Sequence, residues 1–347
     1  MESKTHLALA QEEAKGPLIV RSVTTVDPGK GQIQVRVKAA ALNPIDFQQF
    51  AFGLVTDKFP YIGGADLSGI VTKVGEGVTH VKEGDRVSSV AFNFLEGLPA
   101  AAFQEYATFD ATPAIKIPDS FTFAQGATIS GSFHAATVGI SFPALLNLQP
   151  PWDPLPTPDE TPILVWGGGS VVGRNTIHVL KAANYTNIIT TASPYRFDDV
   201  KAVGAKAVFN YKDEDVVEQI QKYLGDEKLL TGFDAVSSPE SLAQVVKVVS
   251  PGGRVLIVNP GLEDILPLEG GPIKRLDSFL AVILKPEGCE FGRKSAEYLQ
   301  KAVADGSYSL VPFQEIPGGL AGGGVQKGSD KLRLNENHGQ KIVITDI

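Results

Sequence analysis

The chain has 347 residues, of which 43% are hydrophobic and 20% charged, enough for about two domains with buried cores. Its 31 basic and 39 acidic residues give a formal charge of −8, which argues against a nucleic-acid partner because phosphate binding needs a cationic surface. A single cysteine, Cys289, excludes an internal disulfide and a cysteine-rich metal site. No signal-peptide pattern and no apolar run of about 18 residues occurs, so we expect a cytoplasmic protein without a membrane partner.

The first third of the chain is predicted to be rich in β-strands. Short β-prone stretches occur at residues 33–37, 68–74 and 86–90, and turn sequences separate them. A helix is predicted over residues 123–140. Residues 149–162 contain six prolines and are predicted to form an exposed loop.

From residue 163 onward, predicted strands and helices alternate. The strands are expected at residues 163–166, 187–192, 205–211, 233–237 and 254–258. The helices are expected at residues 171–183, 197–203, 213–223 and 241–249. This alternation over about a hundred residues predicts an α/β fold with a doubly wound parallel sheet.

The clearest motif lies at residues 163–173, where a short apolar run enters a cluster of glycines and a helical pattern follows at once. Glycines let backbone amides approach a diphosphate, and the start of a helix adds partial positive charge. The spacing departs from GxGxxG because Ser170 stands where glycine is common, and a plain surface turn is the alternative interpretation. The predicted contacts to the diphosphate of a dinucleotide are Gly167, Gly168, Gly169, Ser170, Val171, Val172 and Gly173.

The end of the second predicted strand of this sheet, at residues 190–196, holds no carboxylate. An Asp or Glu about 20 residues after the glycine loop binds the ribose in NAD enzymes, and it would repel the 2′-phosphate of NADP. Ser193 can donate a hydrogen bond, Tyr195 can stack or donate, and Arg196 can pair with the phosphate. The alternative is a polar turn with an exposed arginine. The sequence therefore favours NADPH over NADH.

Three later strand ends are also candidates for cofactor contacts. Ligands of such sheets bind outside the carboxyl ends of the strands. The third, fourth and fifth strands are followed by Tyr211, by Ser237, and by Val258 with Asn259.

Several separate stretches carry a family resemblance. Residues 39–47 read Ala-Ala-Ala-Leu-Asn-Pro-Ile-Asp-Phe and residues 64–71 read Gly-Ala-Asp-Leu-Ser-Gly-Ile-Val. The Val-Gly-Glu-Gly-Val and Gly-Asp-Arg-Val stretches near residues 74–87 and the tail over residues 328–344 continue the pattern. With the glycine motif, the whole chain resembles the medium-chain dehydrogenase/reductase superfamily, and Thr-Ala-Ser-Pro at residues 191–194 is similar to fungal members.

The resemblance implies a domain order. A GroES-like, β-rich catalytic domain is expected at residues 1–126, a Rossmann NADPH-binding domain at residues 127–276, and a C-terminal return to the catalytic domain at residues 277–347. The cofactor is then expected in the cleft between the domains.

The same resemblance predicts that the chain has no zinc site. Zinc-dependent alcohol dehydrogenases have a cysteine where this chain has Asn43 and a histidine where it has Ala65, and an alanine side chain and an asparagine amide do not suit zinc. The region of the structural zinc loop, residues 88–106, contains no cysteine. Without a Lewis acid, the resemblance implies the quinone oxidoreductase and enoyl reductase branches.

Enones, enoyl thioesters and quinones are the small-molecule substrates that these branches reduce. They contain their own electron sink, so positioning and hydrogen bonding can replace a metal. The resemblance implies that Asn43 lies near the nicotinamide and the substrate. Asp46, Tyr61 and Thr137 are the other candidates for catalysis, and the alignment leaves Ala135 as the alternative position for Thr137. Each of three candidates also has a structural alternative: Asn43 could form a turn, Asp46 could cap a helix, and Tyr61 could pack as an aromatic side chain.

Two alternatives to a free-standing reductase stay open at this point. Fungal members of the branch include trans-acting enoyl reductases that serve a polyketide synthase. The branch also includes non-catalytic NADPH-binding proteins similar to lens crystallins. Zinc-free relatives are monomers or homodimers.

Overall fold

The computed structural model describes residues 4–54, 56–92, 97–258, 273–275 and 280–347, with the side chains of 273–275, 280 and 281 left aside. These residues form two compact units. The first unit comprises Met1–Gly131 and Pro286–Ile347, and the second comprises Ser132–Lys285. The predicted domain boundary at residues 276 and 277 lies outside the described residues.

The first unit is β-rich, as its turn-punctuated sequence predicts. Its strands are β1 (Thr5–Gln11), β2 (Leu18–Thr24), β3 (Gln32–Leu42), β4 (Tyr61–Ile62), β5 (Asp66–Val74), β6 (Arg86–Val90), β7 (Tyr106–Asp110), β8 (Ile115–Lys116), β15 (Phe313–Ile316) and β16 (Lys341–Thr345). A three-stranded sheet has the order β2-β1-β4, and a seven-stranded sheet has the order β15-β16-β3-β5-β6-β8, with β7 also paired to β3. Strand β16 pairs with β3 in antiparallel register, so the C-terminal segment completes the sheet that the N-terminal segment begins.

Among the described residues of this unit, four helices accompany these strands, together with the first residues of a helix that continues into the second unit. They are α1 (Pro44–Phe52), α2 (Phe123–Ala127), α8 (Cys289–Ala304) and α9 (Gly324–Arg333). Helix α1, which the sequence analysis did not predict, begins at Pro44 because proline suits the first helical position, and it ends at Gly53 in the left-handed conformation with φ of 69°.

The second unit is a parallel doubly wound sheet. Its strands are β9 (Ile163–Trp166), β10 (Ile188–Ala192), β11 (Ala207–Asn210), β12 (Thr231–Asp234), β13 (Arg254–Ile257) and β14 (Ile273–Arg275), in the spatial order β11-β10-β9-β12-β13-β14. Its helices are α3 (Ser130–Ser141), which begins at the end of the first unit, α4 (Val171–Ala182), α5 (Phe197–Val203), α6 (Val216–Leu224) and α7 (Pro239–Val248). The predicted α/β architecture is confirmed, and every predicted element of the alternating region is present within a few residues of its expected bounds.

The helix predicted over residues 123–140 is two helices, α2 and α3, so that prediction was wrong in its continuity. Helix α2 ends in a tightened last turn, in which the amides of Thr128 and Ile129 donate to the carbonyls of Gln125 and Gly126 three residues back, at 3.1 and 3.3 Å. The proline-rich residues 149–162 form turns and bends without a helix or a strand. Within the described residues, no helix combines the length and apolar composition needed to cross a bilayer.

We predict that Leu164→Ala destabilises the protein by about 2–5 kcal/mol, because Leu164 is fully buried in β9 at the middle of the parallel sheet and its loss leaves a cavity. Urea unfolding followed by circular dichroism measures the change. The matched control is Leu334→Ala, whose side chain is 54% exposed and which should change the unfolding free energy by less than about 0.5 kcal/mol. Equal effects of the two substitutions would contradict the assignment of β9 to the core.

Candidate active site

At three glycines of the loop between β9 and α4, the surrounding atoms leave no room for a side chain. Gly167 has φ of 83°, and an added Cβ would lie 2.5 Å from a methyl group of Val236. An added Cβ on Gly168 would lie 2.2 Å from the hydroxyl of Thr190, and one on Gly173 would lie 2.3 Å from the carbonyl oxygen of Gly167. Side chains at these positions would therefore displace the loop from the strands around it.

The middle of the loop is open to solvent, in contrast to its ends. Gly169, Ser170, Val171 and Val172 are partly exposed, whereas Gly167, Gly168 and Gly173 are buried. Ser170 is the N-cap of α4, since its hydroxyl accepts a hydrogen bond from the amide of Gly173 at 3.1 Å. This cap gives a physical reason for a serine where glycine is common. The exposed amides at the start of a helix suit a diphosphate group.

Next to the loop, two arginines share one carboxylate. Arg174, in the first turn of α4, lies 2.6 Å from Asp199, and Arg196 lies 3.5 Å from the same carboxylate. An added Cβ on Gly169 would lie 3.7 Å from Cγ of Arg196, so the Arg196 side chain packs beside the glycine loop. Two guanidinium groups around one carboxylate leave a net positive charge here.

Arg174 and Asp199 were missed by the sequence analysis. The available signals were the i,i+3 spacing of Arg196 and Asp199 and the presence of an arginine in the first turn after the glycines. Neither signal identifies the shared carboxylate, because that contact depends on how α4 and α5 pack against each other.

Three further polar residues lie at the ends of β10 and β11. Tyr195 is 70% exposed, and the guanidinium carbon of Arg196 lies 5.5 Å from the centre of its ring. Ser193 and Tyr211 place their hydroxyl oxygens 3.4 Å apart, and Tyr211 is 44% exposed. These polar groups thus line the ends of β10 and β11 near Arg196.

Ser237 has a different environment from its neighbours at the strand ends. It is buried, donates to the carbonyl of Asp234 at 2.7 Å and accepts from the amide of Val258 at 2.8 Å. Its hydroxyl therefore links the ends of β12 and β13. Asn259 lies outside the described residues.

In the first unit, Asn43 belongs to a buried charged network. The ammonium group of Lys341 lies 2.6 Å from Asp66 Oδ2 and donates to Asn43 Oδ1 at 2.5 Å. Asn43 Nδ2 donates to Asp66 Oδ2 at 3.1 Å. The side chains of Lys341 and Asp66 are 4% and 1% exposed, whereas Asn43 is partly exposed. Asp66 and Lys341 both lie within the family motifs, but no role was predicted for either side chain.

Asp46 lies one turn further along, at the start of α1. Its carboxylate accepts from the amide of Asn43 at 2.7 Å and from the amide of Gly64 at 3.0 Å, which is the local cap that the sequence analysis gave as the alternative. Burial raises the pKa of Asp46 to about 6, and the two backbone hydrogen bonds and the charge of Lys341 oppose that rise.

The remaining two catalytic candidates are buried. Tyr61 lies in β4, and its ring packs edge-on against Phe50 with 6.3 Å between the ring centres. Thr137 lies fully buried in α3 and donates to the carbonyls of Phe133 and His134, 3.2 Å from each. Asn43, Asp46 and Tyr61 are in the first unit and Thr137 is in the second.

Comparison with known proteins agrees with this architecture. The family model for the alcohol dehydrogenase GroES-like domain matches residues 29–119, and the model for zinc-binding dehydrogenases matches residues 171–273. A dehydrogenase of Aspergillus niger, azaJ, is 31% identical over 329 residues, covering 87% of this chain and 88% of its own. A trans-enoyl reductase of Aspergillus flavipes, tndF, is 35% identical over 227 residues, and the match spans 63% of each chain.

A solved structure of similar fold is the Escherichia coli quinone oxidoreductase complexed with NADPH. It has a TM-score of 0.75 and 20% identity, over 99% of this chain and 100% of its own. The chain belongs to the medium-chain dehydrogenase/reductase superfamily, and the relatives that it matches in sequence include dehydrogenases and trans-enoyl reductases. It is an oxidoreductase of the type that uses a nicotinamide cofactor and a small-molecule substrate.

Although one family model is named for zinc, the residues of this chain do not fit the metal. Asn43 and Ala65 provide no strong zinc ligand, and the Lys341 ammonium already occupies the space between Asn43 Oδ1 and Asp66 Oδ2. Among the described residues, no cluster of three or more histidine, cysteine or carboxylate side chains has a metal-binding arrangement.

The raised pKa of Asp46 predicts a pH-dependent contribution to stability. Between pH 4 and pH 6 the folded chain holds the Asp46 proton more tightly than the unfolded chain, so this contribution is present below pH 4 and is lost as pH rises through 6. Its size is up to about 3 kcal/mol. We expect Asp46→Asn to flatten the dependence of the unfolding free energy on pH between 4 and 6, measured by urea titration. The control Asp57→Asn removes an exposed carboxylate and should leave the slope unchanged. Parallel curves for wild type and Asp46→Asn would contradict the raised pKa.

Proposed function

We propose that this protein is a zinc-independent, NADPH-dependent reductase of an activated carbon–carbon double bond, in an enone or enoyl thioester, or of a quinone. The observation that carries the proposal is the Lys341–Asp66–Asn43 network, which ties Asn43, the residue at the position of a zinc-binding cysteine in the family resemblance, to a buried ammonium group. A site built in this way favours substrates that are already polarised.

Two features support NADPH as the cofactor. Residues 190–196, at the end of β10, contain no carboxylate, and Arg174 and Arg196 follow the glycine loop and the end of β10. A 2′-phosphate is a stronger partner for two guanidinium groups than a ribose hydroxyl. The quinone oxidoreductase of similar fold is also described as a complex with NADPH.

The chemistry assigns a task to each part of the chain. A bound nicotinamide supplies the hydride. The open amides of the glycine loop bind the diphosphate, and Ser193, Tyr195, Arg196 and Tyr211 hold the adenosine end. The amide of Asn43 is proposed to face the carbonyl oxygen of the substrate and to stabilise the negative charge that develops there. Asp46, Tyr61 and Thr137 stay candidates for positioning or proton transfer.

A second candidate function is a trans-acting enoyl reductase that works on substrates carried by a polyketide synthase. The match to the Aspergillus flavipes trans-enoyl reductase favours it. The same site chemistry serves both functions, because an enoyl thioester has the same electron sink whether its thiol is free or bound to a carrier.

The test is NADPH oxidation by the purified protein with quinones, short enones and enoyl thioesters, the last offered both as small thiol esters and on an acyl carrier protein. Turnover of free substrates supports the free-standing reductase, and turnover restricted to the carrier-bound ester supports the trans-acting enzyme. NADPH binding without turnover of any substrate would overturn both and favour a non-catalytic binding protein. Stoichiometric zinc in the active protein would overturn the metal-free mechanism.

Replacement of Arg196 should change the cofactor preference. We expect Arg196→Ala to raise the Kd for NADPH about 10-fold and to change the Kd for NADH by less than about 2-fold, because the lost charge-assisted contact is worth about 1.5 kcal/mol or more. Fluorescence titration with both cofactors measures the two constants. Lys201→Ala, which removes an exposed positive charge from the same α5 helix, is the control and should leave the ratio of the constants unchanged. An equal loss of NADH and NADPH affinity in Arg196→Ala would contradict phosphate recognition by Arg196.

A further inference from the structure

The network of Asn43, Asp66 and Lys341 joins three parts of the chain that are far apart in sequence. Lys341 begins β16, Asp66 begins β5, and Asn43 directly follows β3. These strands are neighbours in one sheet, in the order β16-β3-β5. The sheet register therefore brings the three side chains together at the same end of the sheet.

The network leaves only one orientation for the Asn43 amide. An ammonium group is purely a donor, so the atom facing Lys341 at 2.5 Å must be the amide oxygen. The carboxylate paired with Lys341 is an acceptor, so the atom facing Asp66 Oδ2 at 3.1 Å must be the amide nitrogen. A flipped amide would place donor against donor and acceptor against acceptor.

The amide has two N–H groups, and one of them is used by Asp66. Asn43 is partly exposed, its amide oxygen already accepts from Lys341, and its second N–H group makes no hydrogen bond among the described residues, so the amide can still donate but its carbonyl is engaged. Both hydrogen bonds to the amide involve a charged partner, and such bonds are stronger than those between neutral groups. They withdraw electron density at the oxygen and hold the nitrogen in place.

The second carboxylate oxygen of Asp66 is closely packed. Its Oδ1 atom lies against Gly131, where an added Cβ would be only 1.9 Å away, and it has no hydrogen-bond partner among the described residues. A buried ion pair with an unsatisfied oxygen is a costly way to stabilise a fold, since apolar side chains of similar size often do as well. Its specific consequence is the fixed direction of the Asn43 amide.

We propose that Lys341 and Asp66 are positioning residues that lock the Asn43 amide with an N–H group left to donate, so that Asn43 donates a hydrogen bond to the carbonyl oxygen of the substrate as that oxygen gains negative charge. This inference rests on the proposed reductase function and assigns the residues that set its oxyanion donor. Lys341 acts only through Asn43 and does not itself transfer a proton.

The first experiment is a double-mutant cycle with Asn43→Ala, Lys341→Met and the double variant, using the best substrate of the panel. Loss of an oxyanion donor costs about 100-fold in kcat, so we expect about that loss for Asn43→Ala and about 10-fold for Lys341→Met. The double variant should be no slower than Asn43→Ala alone, because Lys341 works through the amide that is already absent. The Kd for NADPH should stay within about 2-fold throughout.

A merely structural role predicts a different pattern. If Lys341 only stabilised the fold, Lys341→Met would lower the melting temperature and leave kcat unchanged. If Lys341 were a proton donor, the double variant would be slower than Asn43→Ala and the basic limb of the pH profile would be lost with Lys341. Either result would overturn the proposal.

Two further variants keep the test valid if Lys341→Met folds poorly. Lys341→Met with Asp66→Leu removes both buried charges together, which should restore the melting temperature while kcat stays low because the amide is no longer oriented. Recovery of wild-type kcat in this pair would contradict the proposal. Lys73→Met, which removes a surface ion pair with Asp27 from the same β5 strand, is the matched control and should leave kcat unchanged.

A second readout separates this inference from the proposed function. In a 15N–1H spectrum of the cofactor-free protein, the side-chain amide signals of Asn43, identified by their absence in Asn43→Ala, should be displaced from the usual asparagine region and should move toward it in Lys341→Met. Failure of all substrates with displaced signals would reject the reductase alone. Undisplaced signals, or displaced signals unaffected by Lys341→Met, would reject the fixed amide whatever the activity.

Discussion

The antiparallel pairing of β16 with β3 is the contact on which the first unit depends. Ile342 pairs with Leu42, so Lys341 is brought to the position of Asn43, which is 298 residues earlier in the chain. The pairing also covers Ile342 and Ile344, which are fully buried in the main core of this unit. One strand register thus completes the sheet, buries these core residues and places Lys341 beside Asn43. A slip of the register by one residue would turn the Lys341 side chain to the opposite face of the sheet.

In the second unit, steric exclusion fixes the shape of the glycine loop. Side chains are excluded at Gly167 by Val236, at Gly168 by Thr190 of β10, and at Gly173 by the loop's own Gly167. Strand β10 also holds the loop through hydrogen bonds from the amides of Gly167 and Gly168 to the hydroxyls of Thr191 and Thr190. The packing of the sheet therefore fixes the shape of the loop.

Much of this organisation follows from local sequence patterns. The alternation of apolar strands with amphipathic helices predicts the parallel sheet, and the glycines after Trp166 predict its ligand-binding edge, since both are properties of neighbouring residues. The Asp66–Lys341 pair was not predictable in this way, because its partners are 275 residues apart and meet only through the register of two different strand pairs. The break between α2 and α3 was missed because it depends on backbone hydrogen bonds at Thr128 and Ile129, in a segment whose apolar pattern is continuous.

The carboxylate of Asp199 has a consequence for the energetics of cofactor choice. In the cofactor-free chain it already neutralises part of the charge of Arg174 and Arg196, so these guanidinium groups stay folded against the protein. A phosphate group arriving there must compete with an internal anion, and the displaced carboxylate must be hydrated again. If Arg196 recognises the 2′-phosphate as proposed, the net gain in binding free energy from that phosphate is the difference between two ion pairs, and Asp199 sets its size.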